Sequence, residues 1–368
     1  MKPLEGQVAV VAGATRGAGR GIARMLGEAG ATVYCAGRSS RTRPNTSGHH
    51  YAGRPETIEE TAEMVDAAGG RGIAARVDFN VEAEVAEFFK RVGREQKRLD
   101  VLVNILTGRP VAEWKSFWKL DLGRGREQVE GWVWPHVSTC WHAVPLMLKR
   151  RRGLIVEIVE QDRLGHHGQF FFDMFETALK RLAYSLAEEL APHGVSALAI
   201  TPGFMRTEAI LEGFGATEAN WREVAETNPQ ARGYGFAGSE TPCFVGRAVA
   251  ALAADPDLAR KSGGLYSSWG LSEEYGFTDL DGARPHAGRY FAEHFPHLFT
   301  RRPNTDFEWT LARRPPEPPA RREPPANATR RDKQPAPAAP GRKRRSSQRR
   351  PSASTRSAVR LQPITGRG

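Results

Sequence analysis

The sequence predicts an α/β domain built on a doubly wound parallel sheet, followed by a disordered basic tail. Three observations carry this. Short β-branched apolar runs alternate with amphipathic stretches over most of the 368 residues. A glycine-rich turn joins the first apolar run to the first amphipathic stretch. From about residue 300 the alternation stops and Pro and Arg take over. Strand, helix and strand in repetition imply right-handed crossovers, and so parallel neighbours with helices on both faces.

The elements follow in order. "QVAVVAG" (7–13) and "ATVYCAG" (31–37) read as buried parallel strands bounded by glycine. "GRGIARMLGEAG" between them reads as a helix stopped at Gly30. "RPETIEETAEMVDAAGG" (54–70) is a helix with acids in its first turns, which suit the positive end of the helix dipole. "RGIAARVDF" (71–79) is the third strand and "VEAEVAEFFKRVGREQKR" (81–98) the third helix. "LDVLVNIL" (99–106), "GLIVEIV" (153–159), "GVSALAITPG" (194–203) and "GGLYSSWG" (263–270) complete the strands. The domain therefore spans 1–300 and the tail 301–368.

Charge divides the same way. The tail holds 18 of the 53 Lys+Arg and 5 of the 42 Asp+Glu, so the net charge of +11 describes the tail and not the fold. A nucleic-acid-binding fold is not indicated. The tail cannot bury enough apolar surface to offset its ordering entropy. It reads first as a solubilising appendage or as unselected coding. Second, its clusters Arg342–Arg345 and Arg349–Arg350 admit non-specific binding to nucleic acid or anionic surfaces. Cys35, Cys140 and Cys243 lie far apart, the first residues lack the pattern of a secretion signal, and no apolar run approaches membrane-spanning length. A reduced, cytoplasmic setting without a membrane or metal partner is the expectation.

The turn "VAGATRGAGRGIA" (11–23) carries Gly13, Gly17 and Gly19 between a strand and a helix. Backbone at such a turn can approach a pyrophosphate closely, and the helix N-terminus offers N–H donors and positive dipole. At the end of the second strand an acid would bond the adenosine ribose; the chain has Arg38 and Ser39 there, with Arg16 in the turn. Guanidinium groups at that ribose suit a 2′-phosphate, so NADP(H) is favoured over NAD(H).

"AGATRGAGRGIA", "VDF" after strand three, "LDVLVN" and "TPGFMRTEA", in that order and spacing, resemble the short-chain dehydrogenase/reductase family over roughly residues 4–275. "EEYGFTDLDGARP" (273–285) further resembles its dehydrogenase/reductase member 1-like branch and bacterial relatives. The resemblance implies a single Rossmann-type domain and a homo-oligomer, or association with related subunits. It also implies a cofactor site at Gly13, Thr15, Arg16, Gly17, Ala18 and Gly19, with Arg38 and Ser39 at the ribose. Asp78 would contact the adenine, Asn104 the nicotinamide side and Thr207 the carboxamide, with Pro202 and Gly203 also in the cofactor site. Ala12 stands where the family commonly has Thr, and "NILT" replaces its Asn-Asn-Ala-Gly.

The family's chemistry needs a Tyr as proton donor, a Lys one turn later to lower its pKa, a Ser to orient the carbonyl and an Asn for the relay. The i, i+4 spacing puts Tyr and Lys on one helix face. Alignment with the family pattern places Phe172 in the Tyr position, Glu176 in the Lys position and Glu160 in the Ser position; the Asn position falls near Glu130–Trp132. None of the seven tyrosines has a Lys four residues later, and no Asn lies between Asn104 and Asn220. Phe172 cannot transfer a proton, and a carboxylate at 176 would repel cofactor phosphates. The first reading is an oxidoreductase-like protein with an NADP(H) site and no standard catalytic set. The second is an active carbonyl/alcohol oxidoreductase using a rebuilt acid from the 160–167 loop, with His166 and His167 as candidates. The third is binding of anionic partners through the tail. Lys180 is expected to pair with Glu176 on the surface. The tryptophan-rich stretch 114–136 either lines an apolar substrate pocket or packs at an oligomer interface.

Overall fold

The computed structural model describes residues 2–44, 53–107, 115–160 and 169–295. The tail, His166 and His167 lie outside the described residues. Within them, seven strands form one wholly parallel sheet in the order β3-β2-β1-β4-β5-β6-β7. The strands are β1 (Val8–Ala12), β2 (Thr32–Gly37), β3 (Arg71–Arg76), β4 (Val101–Asn104), β5 (Gly153–Ile158), β6 (Val195–Thr201) and β7 (Leu265–Ser267). Each coincides with a run read from the sequence, trimmed by one to three residues at most ends.

The trimming has local causes. Helix α1 (Gly17–Glu28) stops short of Gly30, whose φ of +98° turns the chain into β2. Helix α2 (Ile58–Ala67) begins four residues later than its sequence pattern, because Thr57 caps it: its hydroxyl oxygen accepts from the Glu60 N–H at 3.2 Å. Thr57 and Glu60 thus stand at the two positions of a capping box. Helices α3 (Glu82–Gln96), α4 (Leu122–Leu148), α5 (Phe170–Leu190) and α6 (Glu208–Phe214) follow. α4 is a continuous 27-residue helix with Pro135 and Pro145 inside it. Its Asp121 cap accepts from the Arg124 N–H at 3.0 Å.

Strand alternation sorts the core into two layers. Ala9 and Val11 of β1 join Ile22, Leu26, Val245 and Leu252 on the face covered by α1 and the Pro242–Ala254 helix. Val8 and Val10 join Phe88, Phe89, Leu102 and Ile155 on the opposite face, under α3, α4 and α5. Both faces are closed, which is why β1, β4 and β5 read as unbroken apolar runs. Burying each such side chain contributes roughly 1.5–3 kcal/mol before ordering costs. Among the described residues no helix is long and apolar enough to cross a membrane.

Candidate active site

The order β3-β2-β1-β4 reverses direction between β1 and β4, and the loops above that crevice are where open parallel sheets bind ligands. The glycine turn lies there. Gly13 has φ +100°, and a Cβ on it would sit 2.2 Å from the Ile105 carbonyl oxygen. A Cβ on Gly19 would sit 2.1 Å from the Gly13 carbonyl oxygen, so α1 starts pressed against β1. Thr207 closes the turn from across the crevice: a Cβ on Gly17 would lie 3.3 Å from its Cγ2. Thr207 also caps α6, its hydroxyl accepting from the Ile210 N–H at 3.4 Å.

The end of the crevice beside β2 is charged. Arg16 donates to Glu56 at 3.3 Å and to the Ser39 hydroxyl at 3.4 Å. Glu56 is buried between Arg16 and Arg54, the latter within 2.7 Å. Burial works to raise the Glu56 pKa, but its bonds from Arg54 and Arg16 outweigh burial and hold it below the usual range. Arg38 is half-buried at the end of β2. Asp78 is half-buried after β3 and accepts from the Asn80 N–H at 3.1 Å, which fixes the loop leaving β3.

Beneath the crevice, at the end of β4, lies a buried polar chain that sequence reasoning missed. Asn104 donates to Glu157 at 2.8 Å, and Glu157 pairs with His136 Nδ1 at 2.5 Å. His136 Nε2 bonds the Leu106 carbonyl at 2.9 Å. A carbonyl oxygen only accepts, so Nε2 donates its N–H to Leu106, and Nδ1 is the nitrogen that meets the Glu157 carboxylate. Burial opposes the charged form of His136, but the Glu157 carboxylate outweighs it and raises its pKa. Burial also pushes the Cys140 thiol, beside Glu157, far up. The signal was a lone acid inside the apolar run of β5.

Glu176 departs from expectation. It is only 4% exposed, and Lys180 one turn on is 8% exposed, so the surface pair expected there is buried. The cause is the face of α5 on which they lie, shared with Phe175, Leu179 and Ala183 and turned into the fold. Glu176 accepts from the Glu160 N–H at 2.7 Å, tying α5 to the chain leaving β5. Burial pushes its pKa up to about 7, against the Glu160 amide and the Lys180 charge, which pull it down. Near neutral pH it is therefore only partly charged, and it repels phosphates less than a solvated carboxylate would.

Phe172 sits in the first turn of α5, its ring 5.0 Å from that of Phe175, which stacks on Trp132 at 4.3 Å. Phe171 lies over Gly125 of α4, where an added Cβ would meet its ring at 2.1 Å. A small cleft runs between Asp121, Arg124, Gln128 and Phe170–Phe172. The tryptophan-rich stretch thus divides: Trp132 packs against Phe175, whereas Trp118 and Trp134 are exposed. On the far side, Glu240 holds the loop after β6. It accepts from the Gly203 amide and, at 2.8 Å, from the Ser268 hydroxyl; burial pushes its pKa up to about 8.

The family model described as short chain dehydrogenase matches residues 7–213. The chain belongs to this family. It is also 35% identical to mouse (Mus musculus) dehydrogenase/reductase SDR family member 1 over 287 residues, 76% of this chain and 85% of that protein. Among solved structures, a short chain dehydrogenase from Mycobacterium thermoresistibile superposes with a TM-score of 0.62 at 21% identity, covering 77% of this chain and 92% of that one. A metagenomic short-chain oxidoreductase in complex with NADP superposes with a TM-score of 0.51 at 23% identity, covering 69% and 94%. Family membership makes this chain a short-chain dehydrogenase/reductase of the oxidoreductase class, with a nicotinamide dinucleotide as the implied cofactor.

Proposed function

We propose that this short-chain dehydrogenase keeps an NADP(H) site and has given up the family's proton-transfer set. It then acts as a dinucleotide-binding, catalytically silent or atypical member, alone or beside related subunits. The observation that carries this reading is the pairing at α5: Phe172 and Glu176 stand where a Tyr and a Lys are needed, and the Glu176 carboxyl is turned to the Glu160 amide.

The residues present fit the cofactor. A carboxylate, that of Glu208, already sits on the Gly17 N–H at 2.9 Å, which marks the turn as an anion cradle. Gly13, Thr15, Arg16, Gly17, Ala18 and Gly19 would hold the pyrophosphate side. Arg16, Arg38 and Ser39 would hold a 2′-phosphate, Asp78 the adenine, and Asn104, Pro202, Gly203 and Thr207 the nicotinamide side. When bound, the dinucleotide supplies or accepts a hydride. This chain's part would be to orient it and exclude water, with no hydroxyl at 172 to move a proton to the substrate oxygen.

The test is turnover by the full chain with saturating NADPH against a panel of aldehydes, ketones and quinones. The reading expects rates at background. Turnover that survives Phe172→Ala but fails with His166 or His167 replaced would instead establish a rebuilt acid in the 160–167 loop. Turnover that titrates near pH 7 and fails in Glu176→Gln would make Glu176 the acid. Either would overturn the reading.

A further inference from the structure

Helix α6 is fastened over the cofactor crevice by two carboxylates one turn apart. Glu208 accepts from the Gly17 N–H at 2.9 Å, at the N-terminus of the 12-residue α1. Its other oxygen lies 3.7 Å from Arg20 Nε. That nitrogen is buried and has no hydrogen-bond partner, on a side chain only 9% exposed. Arg20 has its second donor on Glu60 at 2.5 Å, so the Nε–H is left aimed at the cradle without an acceptor at bonding distance. Glu212 accepts from Arg54 Nη1 at 2.5 Å, and Arg54 shares Glu56 with Arg16. The two ties thus reach both ends of the crevice: the amide cradle and the arginines beside Ser39.

Little else holds α6 down. None of its seven residues is buried, and it ends at Gly215 with φ +67°. Phe214, Ile210 and Leu211 pack against the small apolar cluster around Trp221 and Phe236, and the Phe214 carbonyl accepts from Asn228 at 3.4 Å. A carboxylate is a weaker ligand for such a cradle than a pyrophosphate, which brings more oxygens and more charge to the same N–H groups and to Arg20.

We propose that α6 is a carboxylate strap that competes with the dinucleotide's phosphates. Glu208 occupies the pyrophosphate cradle and Glu212 draws Arg54 toward α6, and cofactor entry displaces Glu208 from the Gly17 amide. This rests on the reading that the chain binds a dinucleotide. The strap sets a threshold for binding, because the first phosphate oxygens must replace an existing charged ligand. It also couples the cofactor to the Thr207–Phe214 segment, which borders the substrate side of the crevice. The carboxylate then faces Arg20 and the phosphates together, and repulsion from the phosphates turns α6 outward.

The experiment uses the full chain, Glu208→Gln, Glu212→Gln and the double variant, with thermal unfolding to confirm that each folds. NADPH affinity is read by nucleotide fluorescence, and amide hydrogen exchange over 207–215 is read in the free proteins. The strap predicts NADPH binding about three- to tenfold tighter in Glu208→Gln, the size expected for losing one competing charged hydrogen bond at a half-exposed site. It predicts a further gain in the double variant and faster exchange over α6 in both free variants. Unchanged or weaker binding by folded variants, or unchanged exchange, would overturn the strap while leaving the dinucleotide reading intact. Absence of NADPH binding to all four proteins would overturn both.

Discussion

The Glu160 N–H donates to the Glu176 carboxylate across 2.7 Å, joining the end of β5 to the first turns of α5. The Glu176 side chain thus closes the protein on itself. The cost is a buried acid whose folded pKa, about 7, lies above its ordinary value of 4.5. An acid so shifted is destabilising once ionised: stability from this group is full below about pH 4.5, declines as pH rises to about 7 and stays low above. Glu176→Gln keeps an acceptor for the Glu160 amide and removes the charge. It should raise stability at pH 8 by on the order of 1–3 kcal/mol and change little at pH 4.5. Urea unfolding at the two pH values measures this. Glu240, raised to about 8, leaves a second decline that the variant retains.

His136 and Glu157 form a buried pair under the crevice. Removing one partner strands the other, so His136→Ala should cost about 3–5 kcal/mol, whereas replacing both with apolar residues of similar volume should recover most of it. Tryptophan fluorescence during urea unfolding follows both. Because the folded pKa of His136 is raised, its charged pairing contributes fully below about pH 6.5 and fades as pH rises through the folded value.

Gly19→Ala should abolish dinucleotide binding and destabilise the domain by about 1–3 kcal/mol. The new Cβ meets the Gly13 carbonyl oxygen at 2.1 Å, and backbone on both sides must shift. Thermal unfolding and an NADPH titration on the same sample separate the two effects.

On the proposed reading, in which Phe172, Glu176 and Glu160 occupy the family's Tyr, Lys and Ser positions, installing those groups should raise turnover. Phe172→Tyr with Glu176→Lys and Glu160→Ser places a hydroxyl, a cation and an orienting hydroxyl at the family positions. NADPH oxidation with an activated ketone should rise by at least about 10²-fold over the parent chain, the contribution of a positioned general acid. Phe172→Tyr alone should gain much less, because no cation lowers its pKa.

The sheet was legible because its strands are continuous apolar runs and its first turn is glycine-rich. The glycine turn was legible for the same reason: it joins the end of the first strand to the first helix. What the sequence hid is what burial decides. Nothing in the spacing of Glu176 and Lys180 shows that their face of α5 turns inward. Glu157 could be noticed as an acid in an apolar run, but its partner His136 comes from another element, 21 residues earlier. Glu56, Arg54, Glu208 and Glu212 reach the crevice from the loop before α2 and from α6, so only the folded chain brings them to Gly17 and Arg16.

Whether the chain keeps an NADP(H) cradle is decided by an equilibrium titration of the full chain with NADPH, with NADH and Arg38→Ala beside it. Saturable NADPH binding, tighter than NADH, is expected. Arg38→Ala should weaken NADPH about tenfold, as for one charged hydrogen bond, and NADH by less than about twofold. No saturable NADPH binding up to about millimolar concentration would contradict a retained cradle.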